Sequence, residues 1–405
     1  MSGSRYVARH RREETTSEPE PGDSARWPGV LGVITALLLV AGAVALVLRW
    51  GGSSEAGSSP VPPVAAEAAP IAVCTQASVE DRAGLLLVVG LPGVTDADDP
   101  LVDRLASVGV GGVMLRAENI TGERQVTDLV AGLRERLGPH LLVAVDEEGG
   151  RVSPLRSLGE SFPSARRLGQ RGAEAAGTTG RAVGDVLSSI DADWVLAPVA
   201  DLDAGPAGGV IGDRSFGGDP IEVAAAADAY VDGLHDAGIA VTMKHFPGHG
   251  GAGDPHAGDA VDPVTLDELT GLAMEPFRSL VAHGAEAAMV GHVSYPEVWG
   301  DLPASLEPRA YALLRSLGFD GVAVTDALGM GAVHARFGFD VAPAMAVAAG
   351  ADAVLVNQGE QVEVLRDGLV AAVGEGRLDE RRLNEAVGRV LALRDQAAAG
   401  VSCPG

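Results

Sequence analysis

The chain has 405 residues, 46% of them hydrophobic, enough for a sizeable core in one large domain or two small ones. Its 30 basic against 55 acidic side chains leave a formal net charge of -25, which sets the surface against nucleic-acid phosphates. Aromatic residues make up only 4%, so platforms for stacking bases are scarce as well.

Residues 1–28 are charged, contain proline and lack periodicity, the composition of a disordered tail. Residues 29–48 form an uncharged apolar run of 20 residues, long enough to cross a bilayer as a helix. Arg5, Arg9, Arg11, Arg12 and Arg26 precede this run; Arg49 follows it, and then no basic residue occurs until Arg82. The asymmetry predicts a single-pass protein of the cell membrane, with a cytoplasmic N-terminus and an extracytoplasmic domain. A competing reading is a signal peptide, cleaved to release a secreted domain. Against it, the apolar core exceeds the usual length of about 7–15 residues. Residues 49–73, rich in Gly, Ser, Pro and Ala, read as a flexible linker. Cys74 and Cys403 bracket the remainder, 74–405. Outside the cytoplasm such a pair favours a disulfide. The rival for Cys74 is lipid attachment, but Val73 stands where a small residue is expected.

From Ser78 onward, short apolar runs alternate with helix-like stretches. Eight runs read as strands: 85–89, 112–115, 141–145, 194–198, 239–243, 287–290, 321–325 and 352–356. Near-continuous apolar runs of this kind suit a parallel sheet buried on both faces. Residues 100–108 and 266–284 are examples of predicted helices between them. The alternation predicts an α/β fold, a single (β/α)8 TIM barrel preceded by the transmembrane helix. A doubly wound open sheet is the alternative. Its Gly-x-Gly-x-x-Gly fingerprint is missing after the first strand, because Gly90 and Gly93 are wrongly spaced.

Polar residues stand at the ends of six of these runs: Asp146-Glu147-Glu148, Asp201, Lys244-His245, His292, Asp326 and Asn357. In a barrel, the C-terminal strand ends converge on the active site. Arg214 joins them from a loop. Neither a Gly-x-x-x-x-Gly-Lys-Ser/Thr phosphate loop nor a Gly-x-Ser-x-Gly nucleophile elbow is present, which leaves carboxylate and histidine chemistry. Asp326 follows an apolar strand and is placed either to attack an anomeric carbon or to cap the next helix. In Asp254-Pro255-His256, proline disfavours helix at Asp254, and an extended stretch would turn Asp254 and His256 to one side. A carboxylate beside histidine favours the imidazolium, the form that donates a proton. Gly248, Gly250, Gly251, Gly253 and Gly258 would let this loop open and close. A metal site built on His245, His249, His256 and Asp326 competes with this reading. The chain lacks the strand-end His-x-His pair of barrel zinc hydrolases and lacks His-Glu-x-x-His.

The segment Lys244-His245-Phe246-Pro247-Gly248-His249-Gly250 resembles the signature of family 3 glycoside hydrolases of the β-N-acetylglucosaminidase branch. Similar stretches follow the family's order from about residue 85 to 394, among them 146–152, 197–201, 212–216, 303–306, 325–330 and 349–352. The resemblance implies one barrel and a retaining, two-step hydrolysis that needs no metal or cofactor. It implies Asp326 as nucleophile and His256, oriented by Asp254, as acid/base. Asp146, Arg214, Lys244 and His245 match positions that hold the N-acetylglucosamine, and His249 matches one that supports the loop. The implied partners are N-acetylglucosamine-containing cell-wall saccharides, with terminal β-linked residues removed, typically from muropeptides. The chain is expected to act as a monomer. A non-catalytic glycan-binding protein and a related β-glycosidase or phosphorylase are the alternatives. The chain departs from the family in three places. Its acid/base loop is one residue shorter, Pro255 replaces a serine, and Arg116 replaces an aromatic.

Overall fold

The computed structural model describes residues 77–397. The expected membrane span at 29–48 and the Cys74–Cys403 pair lie outside the described residues. Among the described residues no helix is long and apolar enough to cross a membrane.

Eight parallel strands form a nearly closed barrel: β1 (Leu87–Gly90), β2 (Gly112–Leu115), β3 (Leu142–Val145), β4 (Trp194–Val195), β5 (Ala240–Phe246), β7 (Ala287–Val290), β10 (Val322–Thr325) and β11 (Val354–Val356). The sheet order is β10-β7-β5-β4-β3-β2-β1-β11, and each strand pairs in parallel with its neighbours. One parallel bridge, Val324 to Ala353, draws the two end strands together. Every residue of these strands is buried, as expected when helices cover one face and the barrel interior the other. All eight predicted runs are strands; 112–115 and 287–290 match at both ends, and elsewhere no end moves by more than three residues.

Strand β4 is shorter than the expected 194–198. Pro198 has no N–H to give to the ladder, so regular pairing lapses there. Scattered bonds continue the contact instead, with the Lys244 N–H donating to the Pro198 carbonyl at 3.1 Å. The helix expected over 266–284 is two helices, Leu266–Thr270 and Glu275–Ala282. Pro276 is the reason, since it cannot donate to a carbonyl one turn back and its ring would clash with that turn. The helix Pro100–Val108 matches its prediction. Asp99 caps it by accepting the Leu101 N–H at 2.8 Å, and Gly109, at φ 73°, ends it in the left-handed region.

A second, small sheet emerges from the C-terminal ends of β5 and β7. It comprises β6 (Ala260–Val261), β8 (Val293–Tyr295) and β9 (Gly300–Pro303), in the order β6-β8-β9. At the opposite end of the barrel, Asp352 precedes β11 with its side chain fully buried. It accepts hydrogen bonds from Arg315 at 2.5 Å, Arg389 at 3.2 Å, Arg382 and the Ala323 N–H.

Candidate active site

The residues at the C-terminal strand ends converge as expected. Asp146 follows β3, Lys244 and His245 lie in β5, Asp326 follows β10, and all four line one pocket with Arg214, His249, His256 and His292. Strand β5 has a register shift against β7 between Lys244 and Phe246. A bulge of this kind re-aims a side chain. Here both Lys244 and His245, neighbours in sequence, line the pocket.

The floor is a chain of paired charges. Lys244 Nζ donates to Asp146 Oδ1 at 2.6 Å and lies 2.5 Å from Glu148 Oε1. Glu148 also accepts a two-pronged contact from Arg214, Nε to Oε2 and Nη2 to Oε1, both at 2.7 Å. Arg214 Nη2 lies 3.2 Å from His245 Nε2. His245 Nδ1 lies 2.6 Å from Asp201 Oδ2, so Nδ1–H donates to Asp201 and Nε2 accepts from Arg214. Both ring nitrogens of His245 are thus engaged. Asp201 further accepts the N–H groups of His245 at 3.2 Å and His249 at 2.7 Å.

The charges settle one another. Burial alone would raise the Glu148 carboxyl, but Lys244 and Arg214 outweigh it and hold that carboxyl below its ordinary range. Burial likewise opposes the Lys244 ammonium, and Asp146 and Glu148 overcome it, so its pKa is raised. The Asp201 carboxyl is lowered by His245 and His249 in spite of burial. Lys244 and Arg214 therefore stay cationic, held as donors for hydroxyl or carbonyl oxygens.

Asp326 is placed by its own N–H, which donates to the Val290 carbonyl at 3.0 Å. Its Oδ1 accepts the Ala327 N–H at 2.7 Å. The helix-cap alternative for this residue is ruled out, because the next helix begins only at Gly331, with Met330 at its cap. Burial would raise the Asp326 carboxyl; His292, His245, the Ala327 N–H and Lys244 together lower it, which favours the ionised form. Behind it, His292 is buried. Its Nε2 lies 3.0 Å from the Ala327 carbonyl, and its Nδ1 lies 2.7 Å from Ser305 Oγ. A carbonyl only accepts, so Nε2 carries the proton and Ser305 donates to Nδ1. Burial lowers the His292 pKa, keeping the ring neutral.

His256 and Asp254 pair as expected, with Nδ1 2.9 Å from Asp254 Oδ1. The route differs from the expected extended stretch. Pro255 and His256 are the central residues of a turn closed by the Ala257 N–H on the Asp254 carbonyl at 3.0 Å. Proline's fixed φ suits that position, and an Asp side chain at the turn's first residue binds the backbone two residues on. Asp254 accordingly also accepts the His256 N–H at 2.9 Å. The pair sits at the pocket mouth, with the His256 side chain 68% exposed. His249, expected to support the loop, is tied to Asp201 through its backbone, while its buried ring lines the pocket. Arg116 is exposed at the end of β2.

Two contributors had no role assigned from the sequence, Glu148 and Asp201. Their sequence signals were an acidic residue at a strand end and a place in the family-like stretches 146–152 and 197–201, neither of which names a partner. Their partners Arg214 and His245 lie 66 and 44 residues away.

Comparison with known proteins fits this geometry. A family model, the glycosyl hydrolase family 3 N-terminal domain, matches residues 78–393. The chain is 38% identical over 383 residues to beta-hexosaminidase LpqI of Mycobacterium tuberculosis, covering 88% of this chain and 96% of that protein. A glycoside hydrolase family 3 beta-N-acetylglucosaminidase structure from Paenibacillus sp. superposes with a TM-score of 0.75 at 35% identity, covering 81% of this chain and 64% of that one. A family 3 glycosyl hydrolase structure from Mycobacterium smegmatis gives 0.73 at 39% identity, covering 78% and 97%. The protein belongs to glycosyl hydrolase family 3.

Proposed function

We propose that this family 3 enzyme is a retaining exo-β-N-acetylglucosaminidase, of the β-N-acetylhexosaminidase class, acting on terminal β-linked N-acetylglucosamine in cell-wall saccharides. The observation that carries the reading is one pocket lined by both Asp326 and His256, with Asp254 paired to the His256 ring from outside the lining. Two of the relatives above, named beta-hexosaminidase and beta-N-acetylglucosaminidase, support the glycoside part of this reading.

In the first step a carboxylate oxygen of Asp326 attacks the anomeric carbon. The bond to the leaving oxygen breaks, and His256 Nε2–H supplies that oxygen's proton. Asp254, in contact with Nδ1, holds the ring so that Nε2 is the free nitrogen. In the second step His256 takes a proton from water, the water oxygen bonds to the anomeric carbon, and Asp326 leaves as carboxylate. Two displacements at one carbon return the starting configuration. Lys244, Asp146 and Arg214 hold sugar hydroxyls, and their prior pairing means the array needs little rearrangement on binding. The apolar run at 29–48, with basic residues before it, supports a membrane anchor that leaves the enzyme facing the wall.

The test is hydrolysis of a nitrophenyl β-N-acetylglucosaminide, with the product anomer followed by NMR. Wild type releases the β anomer first, and Asp326→Ala loses turnover by about a thousandfold or more. Release of the α anomer first, or binding without turnover, overturns the reading.

A further inference from the structure

The loop that carries His256 rests on the same short segment that carries Asp326. At the loop's base, Tyr295 Oη donates to the Gly248 carbonyl. Gly250, at φ 56°, packs so closely on Asp262 that a Cβ there would lie 1.7 Å from Oδ2. At the tip, the Ala332 N–H donates to the Pro255 carbonyl at 3.0 Å. Beside that bond, a Cβ on Gly331 would lie 2.8 Å from the His256 carbonyl oxygen and 3.2 Å from the Gly258 nitrogen, both of them backbone atoms. Gly331 is not in the left-handed region, so its backbone makes no demand for glycine. Space does.

The segment from Asp326 to Ala332 is itself fixed. The Leu328 N–H donates to the Leu355 carbonyl at 3.0 Å, and the Met330 N–H to the Ala327 carbonyl at 3.0 Å. We infer that Gly331 is a positioning residue for the acid/base step: its missing side chain sets how far the His256 loop descends toward Asp326. This rests on the reading of His256 as acid/base. Any side chain at 331 pushes back the His256 backbone, and the ring retreats with it. The nucleophile, anchored to β7 and β11 through Val290 and Leu355, stays where it is.

Chemistry separates this role from a structural one. A poor leaving group, such as a sugar, departs only with a proton from His256. A dinitrophenolate leaves without one. Gly331→Ala should therefore lower kcat/KM for a disaccharide by about tenfold, and Gly331→Val by about a hundredfold, since a shift of 1 Å costs roughly that much. For the dinitrophenyl glycoside, kcat/KM should stay within about twofold of wild type. Its kcat should fall and recover with azide, which bonds to the anomeric carbon and displaces the Asp326 carboxylate without needing a base. The ratio of the two substrates is taken within one preparation, so it does not depend on the fraction folded.

His256→Ala is measured alongside. If it shows no discrimination between leaving groups, the acid/base reading itself falls. If it discriminates while both Gly331 variants keep the wild-type ratio, or lose both activities equally, the role of Gly331 alone is overturned.

Discussion

Glu147 sits between two residues of the pocket floor and does different work. Its side chain is wholly buried and accepts the N–H groups of Gly149 at 2.9 Å and Leu155 at 3.1 Å. Burial pushes its carboxyl up from 4.5 to about 7, against the lowering effect of those bonds. A folded value above the unfolded one means that the fold favours the protonated form. The stabilisation is complete below about pH 4.5 and is lost as pH rises through about 7, a total near 3 kcal/mol. Urea unfolding at pH 5 and pH 8 should show this loss in wild type and a clearly smaller one in Glu147→Gln. Equal losses in the two proteins would refute the assignment. The Asp-Glu-Glu run was legible as a strand end bearing acid, but its division of labour was not. Only the tertiary partners reveal that Glu148 binds two cations and Glu147 binds backbone.

At the scale of elements, strands were read well and small irregular pieces poorly. An unbroken apolar run such as 287–290 has few other fates than a buried strand. The sheet β6-β8-β9 has strands of two to four residues, and β9 alternates between half-exposed and exposed before its buried last residue, so no period marked it. The helix Ala173–Ser189 carries Gly177, Gly180 and Gly184, a poor composition for a helix by propensity alone. Packing explains it. A Cβ on Gly180 would lie 2.1 Å from the Tyr230 carbonyl oxygen of the helix Pro220–Asp236. Gly→Ala inside a helix ordinarily gains about 1 kcal/mol, whereas overfilling a tight contact costs about 1–3 kcal/mol. Steric cost wins here because the opposing atom is backbone. Gly180→Ala should therefore lower the unfolding free energy in denaturant melts, with kcat/KM unchanged; a stabilised variant would show that the helices part freely.

For the molecule as a whole, the weak point is the seam between β10 and β11, where the ladder is reduced to one bridge. Asp352 sews that seam. Its own N–H donates to the Ala323 carbonyl at 2.7 Å, its carboxylate accepts the Ala323 N–H at 2.9 Å, and three arginines converge on it. Removing one member of a buried charge cluster leaves the others uncompensated, at about 3–5 kcal/mol. Asp352→Ala should lose stability on that scale in thermal or chemical unfolding, and a loss under about 1 kcal/mol would show that the seam closes without it. The eightfold alternation was visible in the sequence, and with it the barrel. The seam was not, because its arginines lie on helices well before and well after the carboxylate they share.

That cluster occupies the beginning of a strand, at the far pole from the sugar. Durability and turnover are thus handled by opposite ends of one scaffold. Substitutions that harden or soften the closure at Asp352 need not touch the catalytic rim. A lineage of such enzymes is free to adapt its heat tolerance and its choice of glycan along separate paths.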